Sequence, residues 1–205
     1  MNVALKRFAW PVFIWLAVIC DSSGALDLNP QFVQMQVNGN RFDCPYFLDG
    51  KTRYSAHFPA RTSICGDKGG AFFMFSEPQG ATLAMRPSTV SPQTPFREPD
   101  LQIYRKALLS FVAAHATDVK IEKQEVNPRS KCLWNICRFT VSSSLPGMRI
   151  MQEITFLNFS ATQQIVLITT ADASTFGQAA DNTLQILNTF RSIPAGVDLA
   201  APALL

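Results

Sequence analysis

The strongest constraint on the fold is a series of four strand-like segments in the second half of the chain. They span residues 119–126, 137–144, 148–159 and 164–170. Only short breaks rich in Asn, Pro, Gly and polar residues separate them, and strands joined by such short connections pair as antiparallel neighbours. The series therefore predicts an antiparallel meander. The last segment is apolar or β-branched on both faces, as expected of a central strand that is covered on both sides.

Two other segments have helical periodicity. In the first, apolar residues at three-to-four spacing follow Asp100, a good capping residue: Leu101, Tyr104, Leu108, Phe111 or Val112, and then His115. The second begins near 172–174, and its predicted buried stripe is Phe176, Ala180, Leu184, Leu187 and Phe190. An earlier strand pair, 71–75 and 81–85, flanks a turn containing Pro and Gly. The expected fold is an α+β domain over residues 26–193, with an antiparallel sheet covered by two main helices.

The first 25 residues have the pattern of a secretory signal peptide. Lys6 and Arg7 precede an apolar run over 8–20, and a small-residue cleavage site ends at Ala25. The run is shorter than the roughly 20 apolar residues that a membrane-spanning helix needs. We therefore expect an exported protein, periplasmic or secreted, with no transmembrane segment after signal removal. The alternatives are an uncleaved anchor or attachment as a lipoprotein through Cys20, although Ile19 stands where lipoprotein signals usually carry a small residue.

Charge and composition exclude one class of partner. The formal net charge is only +3, and the Lys and Arg residues are scattered along the chain. A nucleic-acid-binding protein usually concentrates basic residues in one patch, so no nucleic-acid partner is expected. The segment 194–205 is rich in Ala and Pro and is expected to be a flexible tail.

Four cysteines remain after signal removal: Cys44, Cys65, Cys132 and Cys137. An even number in an exported chain favours two disulfides, although sequence alone allows three pairings. Proximity in sequence favours Cys44 with Cys65 and Cys132 with Cys137. A zinc site usually has closely spaced ligand pairs, and a redox dithiol usually has two intervening residues at a helix start. The spacing fits neither as well as it fits structural disulfides.

The second cysteine pair encloses Leu133, Trp134 and Ile136 in the segment KCLWNICRF. Trp134 is the only tryptophan after residue 25. A constrained loop that carries Trp loses little entropy on docking, and Trp is enriched among interface hot spots. One hypothesis is therefore a partner-binding tip formed by these three residues. The other interpretation is that Trp134 packs onto the domain and seals it.

No motif of the sequence indicates catalysis. His57 lies on the polar side of a strand-like segment, His115 follows an apolar helical stripe, and neither has a marked partner. The segment Gly66-Asp-Lys-Gly-Gly70 lacks the ending of a phosphate-binding loop and predicts a turn. We expect no catalytic residue, no metal and no cofactor. A hydrolase centred on His57 and a thiol oxidoreductase are the less favoured enzyme alternatives.

The order of elements from Tyr54 to Ile193 resembles that of the Mog1/PsbP-like family, which includes DcrB-type bacterial envelope proteins. The resemblance includes the ending, in which an apolar strand leads to a helix that contains Phe176 and closes with Leu187-Asn-Thr-Phe-Arg-Ser192. The Pro-Gly-Trp often found near the start of such domains is absent. The resemblance implies an α/β/α layered domain that docks proteins or ligands, and it transfers no functional residue to this chain.

Two functions follow from these observations. The first is a non-catalytic binding or assembly domain of the cell envelope, whose partner is another envelope protein. The alternative is a carrier of an apolar small molecule or lipid. A carrier requires a large apolar pocket, which Phe73, Phe75, Ile154 and Phe156 could line.

Overall fold

The computed structural model describes residues 26–37, 40–67, 69–92, 96–97, 101–127 and 134–193. The predicted signal peptide and the predicted tail lie outside the described residues, as do Asp100, Cys132 and Leu133. Among the described residues, no helix has both the length and the apolar character needed to cross a membrane.

The α+β prediction is wrong, because the structure is mostly β: strands make up 54% of it, and its two helices are short. The strands are β1 (Asp27–Val37), β2 (Asn40–Asp49), β3 (Thr52–Ser55), β4 (Ser63–Asp67), β5 (Gly70–Met74), β6 (Thr82–Pro87), β7 (Thr117–Val126), β8 (Asn135–Leu145), β9 (Met148–Asn158), β10 (Gln164–Asp172) and β11 (Arg191–Ile193). The helices are α1 (Leu101–Leu108) and α2 (Phe176–Thr189), and a short 3₁₀ helix, Leu109–Phe111, continues α1.

The larger sheet has seven strands in the order β4-β5-β6-β10-β9-β8-β7. It contains the meander that the sequence predicts, with β7, β8, β9 and β10 as antiparallel neighbours. Antiparallel pairing of β10 with β6 then joins the meander to the earlier strands. This pairing places β10 in the middle of the sheet, as its apolar sequence indicates.

The smaller sheet, in the order β1-β2-β3-β11, is the part of the fold that the sequence analysis did not predict. Its strand β1 mixes polar and apolar residues, and the buried Leu28 and Pro30 alternate with exposed polar residues at its start. Leu26, just before the strand, is buried too. The C-terminal strand β11 closes the sheet by pairing with β3, where Arg191 lies opposite Ser55. This second sheet is the main reason why an α/β/α layering does not describe the molecule.

The core consists of two clusters, one on each face of the larger sheet. On one face, α1 packs Tyr104 and Leu108 against apolar residues of β8, β9 and β10. On the other face, the smaller sheet and α2 pack against β5, β6 and β10. Successive residues of β10 alternate between the clusters, so that Val166 belongs to the first and Leu167 to the second.

Both helices differ from their predicted extents. The first ends at Leu108 and its 3₁₀ continuation at Phe111, so that His115 lies outside it. The Gln152 side chain on β9 donates a hydrogen bond to the carbonyl oxygen of Phe111 at 3.4 Å, satisfying a group at the end of the helical segment. The buried residues of α2 are Ala179, Thr183, Ile186 and Leu187. The predicted stripe is therefore rotated.

The prediction of two disulfides is also wrong, because Cys44, Cys65 and Cys137 are all free thiols. Cys44 belongs to the smaller sheet, whereas Cys65 projects from the face of the larger sheet that lies away from it. The two sulfurs therefore cannot meet. Cys137 is buried beneath α1, and desolvation raises the pKa of its thiol to about 12.

Candidate docking surface

The structure packs the described part of the predicted Trp134 tip against the domain. The Trp134 indole Nε1 donates a hydrogen bond to the Phe190 carbonyl oxygen at 3.0 Å. Its ring stacks on Phe159 with centroids 5.6 Å apart. Ile136 is only 1% exposed and belongs to the core. The half-buried indole thus seals the end of α2, and a partner contact by Trp134 stays a prediction.

The four residues that could line a carrier pocket do not share one. Phe73 and Phe75 belong to the cluster beneath the smaller sheet, whereas Ile154 and Phe156 belong to the cluster beneath α1. The Phe73 ring stacks on Phe58 at 5.4 Å, and the Phe156 ring packs edge-on against Tyr104 at 4.8 Å. These side chains fill the two cores.

Among the described residues, neither histidine side chain forms a hydrogen bond or an ion pair that would activate it. His57 and His115 are both exposed, and the His57 backbone N–H donates to Thr189 Oγ1 at 2.8 Å. In the part of the chain that the structure describes, no group of three or more His, Cys, Asp or Glu residues could hold a metal ion.

A different surface lies on the side of the larger sheet that carries α1. We define it as the open face: the α1 side of β4, β5 and β6, formed by Cys65, Phe72, Met74 and Ala84. Pairing across the strands places Cys65 beside Phe72 and Phe72 beside Ala84. Phe72 is 37% exposed and Met74 is 50% exposed. Two large apolar side chains therefore project into solvent from the middle strand of this surface.

The open face exists because α1 is short and lies toward the other edge of the sheet. Its Arg105 Nε donates to Gln124 Oε1 on β7 at 2.9 Å, so this flank of the helix faces β7. A helix turns about 100° per residue, which puts Ala107 on the opposite flank. Ala107 packs against the cluster beneath α1, whereas Ile103 is 49% exposed.

A row of charged residues crosses one end of the open face. Asp67 on β4 pairs with Gly70 on β5. Arg86 on β6 follows Met85, the partner of Ala71, and so lies on the other side of Gly70. Both charged side chains are exposed, and neither forms an ion pair with any residue that the structure describes. Asp67 Oδ1 accepts a hydrogen bond from the Gly69 backbone N–H at 2.7 Å.

Gly70 is required in this row. Its φ is +138°, and a Cβ there would collide with the carbonyl oxygen of Met85. The glycine leaves a depression of about 560 Å³ whose lining includes Asp67, Phe72 and Arg86. The Gly-rich segment is thus a hairpin turn, as the sequence predicts, and it also shapes one end of the open face.

Sequence reasoning missed this surface, although one signal was present. The run Ala71-Phe-Phe-Met-Phe75 is apolar at every position. In a strand, such a run puts large apolar groups on both faces. The smaller sheet covers Phe73 and Phe75, but an eight-residue helix is too short to cover Phe72 and Met74 as well.

No protein-family model matches the chain, and no curated protein matches it. The Mog1/PsbP-like resemblance therefore stays a prediction. Fourteen solved chains match. One is PA94, a protein of unknown function from Pseudomonas aeruginosa, with 10% identity over 80% of this chain and 99% of that chain, at a TM-score of 0.43.

A second solved structure is LpqN, which is involved in cell envelope biogenesis of Mycobacterium tuberculosis. It is 9% identical over 80% of this chain and 92% of that chain, at a TM-score of 0.44. At these values, neither similarity supports an argument about the function of this chain.

Proposed function

We propose that this chain is an exported, non-catalytic assembly domain that docks a protein partner on the open face. The single observation that supports this proposal is the exposure on β5 of Phe72 and Met74, which do not belong to the cluster beneath α1. Isolated exposed apolar residues are common on protein surfaces, whereas Phe72 and Met74 are neighbours on the same side of one strand. The charged residues Asp67 and Arg86 lie at one end of this pair.

The residue types of the open face suit a protein partner. Aromatic residues and Met are enriched in the centres of protein interfaces, where charged residues are depleted. Met74 is flexible and polarizable, so it can adapt its shape to a partner surface. The charged groups of Asp67 and Arg86 stand at the end of the apolar patch, where they can set the register of docking without being buried in its centre.

Export rests on the sequence of residues 1–25. A positively charged start, a short apolar run and a small-residue cleavage site direct a chain to the secretory route. N-terminal sequencing of the protein recovered from outside the cytoplasm should begin at Leu26, after cleavage behind Ala25.

Site-specific photo-cross-linking in the producing cells tests the docking surface. A photoreactive amino acid at position 72 or 74 should give a protein adduct of defined mass. The same amino acid at Met148 is the matched control, because Met148 is 47% exposed but lies at the start of β9. Adducts at all three positions alike, adducts with lipid only, or no adduct at 72 and 74 would contradict the proposal.

A further inference from the structure

We infer that the occupant of the open face is a second copy of this chain, related to the first by a twofold axis that runs along β5. The inference rests on the proposed function and names its partner. It starts from the symmetry of the charged row, in which Asp67 on β4 and Arg86 on β6 stand on either side of Gly70 on β5. The two charges have opposite sign and similar distance from the middle strand.

This symmetry makes the surface complementary to itself. When two open faces meet about an axis along β5, β4 of one copy lies opposite β6 of the other. Asp67 then faces Arg86 of the second copy, and Arg86 faces Asp67 of the second copy. A contact between identical subunits about a twofold axis requires this reciprocity. Facing sheets pack about 10 Å apart, a gap that an arginine and an aspartate side chain can bridge together.

The apolar residues of the open face fit the same twofold symmetry. Phe72 and Met74 lie on β5 itself, so each would contact its own counterpart at the axis. Cys65 on β4 would lie opposite Ala84 on β6, and both are small. The two largest exposed groups of the surface would therefore be buried by the same contact that pairs the charges.

The position of α1 leaves room for this arrangement. An α-helix with its side chains is about 10 Å in diameter, which equals the spacing of two facing sheets. Because β4 is an edge strand, the second copy extends past that edge, and its α1 would lie beside β4. The contact would thus also cover an unpaired strand edge, which soluble proteins generally protect.

The size of the surface predicts a weak association. Three strands about 4.8 Å apart and five residues long present roughly 14 Å by 17 Å of sheet. With the α1 flank added, this is still smaller than the roughly 800 Å² per partner of a standard stable interface. We therefore expect a dissociation constant of about 1–100 μM, which corresponds to a reversible dimer.

Sedimentation equilibrium of the purified protein under reducing conditions tests the apolar part of the contact. The wild type should show a monomer–dimer equilibrium. Met74→Lys should weaken dimerisation by about tenfold or more, because it buries two ammonium groups side by side at the axis. Met148→Lys, at a methionine of similar exposure, should leave the dissociation constant within about twofold. Circular dichroism verifies that each variant is folded.

Charge reversal tests the geometry itself. Asp67→Arg and Arg86→Asp should each weaken the dimer by about tenfold, because each creates two like-charge contacts. The double variant Asp67→Arg/Arg86→Asp restores opposite charges and should recover the wild-type constant within about threefold. A double variant no better than either single variant would overturn the inference, and so would a wild type that stays monomeric up to about 200 μM.

The cross-linking experiment separates the two levels of the proposal. An adduct at positions 72 and 74 with the mass of two chains supports both the docking surface and the second copy as its occupant. An adduct with a different protein, combined with a monomeric purified chain, overturns the second copy as occupant and retains the proposed docking surface. No protein adduct and no dimer would overturn both.

Discussion

At the scale of single residues, Glu153 on β9 carries an ionisable carboxyl group that is buried in the larger sheet. The residue is 5% exposed, and its Oε2 lies 3.5 Å from Arg138 Nη1. Burial raises the pKa of Glu153 to about 7, although the nearby positive charge of Arg138 lowers it. Glu125 and Asp181 raise the pKa further, and Lys123 lowers it. Arg138 also donates to Glu125 at 3.0 Å, so two carboxyl groups share one guanidinium.

This raised pKa predicts that Glu153 contributes stability at low pH that is lost as the pH rises from about 4.5 to about 7. Across that range the unfolded chain releases the Glu153 proton, whereas the folded chain retains it. Glu153→Gln removes the titrating carboxyl, and with it the difference in proton binding between the folded and the unfolded chain. Its free energy of unfolding relative to wild type should therefore be higher at pH 8 than at pH 4, by roughly 3 kcal/mol for the full shift. Urea unfolding at the two pH values measures this change.

Glu122→Gln is the control for the pH series. Hydrogen bonds from Lys120 and Ser142 lower the pKa of Glu122, so the wild-type carboxylate contributes stability that is lost as the pH falls. This variant should therefore respond to pH in the opposite direction. An equal response of both variants would show that Glu153 does not carry the shifted pKa.

At the scale of elements, the orientation of α2 depends on a pair of threonines. Thr169 Oγ1 on β10 and Thr183 Oγ1 on α2 are 2.6 Å apart, and both residues are buried. Turning Thr183 inward satisfies the Thr169 hydroxyl and moves Leu184 of the predicted stripe to a half-buried position. A buried hydrogen bond thus shifts the helix face that hydrophobic spacing alone predicts.

Thr183→Val should lower the free energy of unfolding by about 1–3 kcal/mol, because it leaves the Thr169 hydroxyl buried without its partner. The double variant Thr169→Val/Thr183→Val should cost less than the sum of the two single variants, since it removes both hydroxyls. Thr155→Val is the control: the Thr155 hydroxyl is buried and has no hydrogen-bond partner among the described residues, so its loss should be neutral or stabilising. Additive single variants would contradict the role of the pair.

At the scale of the whole molecule, local patterns predict elements better than they predict their assembly. The meander and the buried residues of α1 follow from periodicity, because each depends on neighbours that are close in sequence. The smaller sheet depends on the pairing of β11 with β3, which joins residues far apart in the chain. The open face has no local signature beyond one apolar run. It arises only because α1 ends before it could cover Phe72 and Met74.

The side chain of Phe190, between α2 and β11, contacts residues that are far from it in the sequence. Its ring packs against Phe47 at 6.2 Å, Tyr54 at 5.9 Å and Trp134 at 5.7 Å, and so joins both sheets.

Phe190→Ala should lower the free energy of unfolding by about 3–5 kcal/mol. In the wild-type chain without residues 1–25, Trp134 fluorescence and far-UV circular dichroism should show one coincident unfolding transition, because this cluster couples the two sheets. In Phe190→Ala the fluorescence transition should come first. Leu109→Ala, at an exposed position on the 3₁₀ helix, should change neither the free energy of unfolding nor the coincidence of the two transitions. Separate transitions in the wild type would mean that the sheets unfold independently and that Phe190 does not couple them.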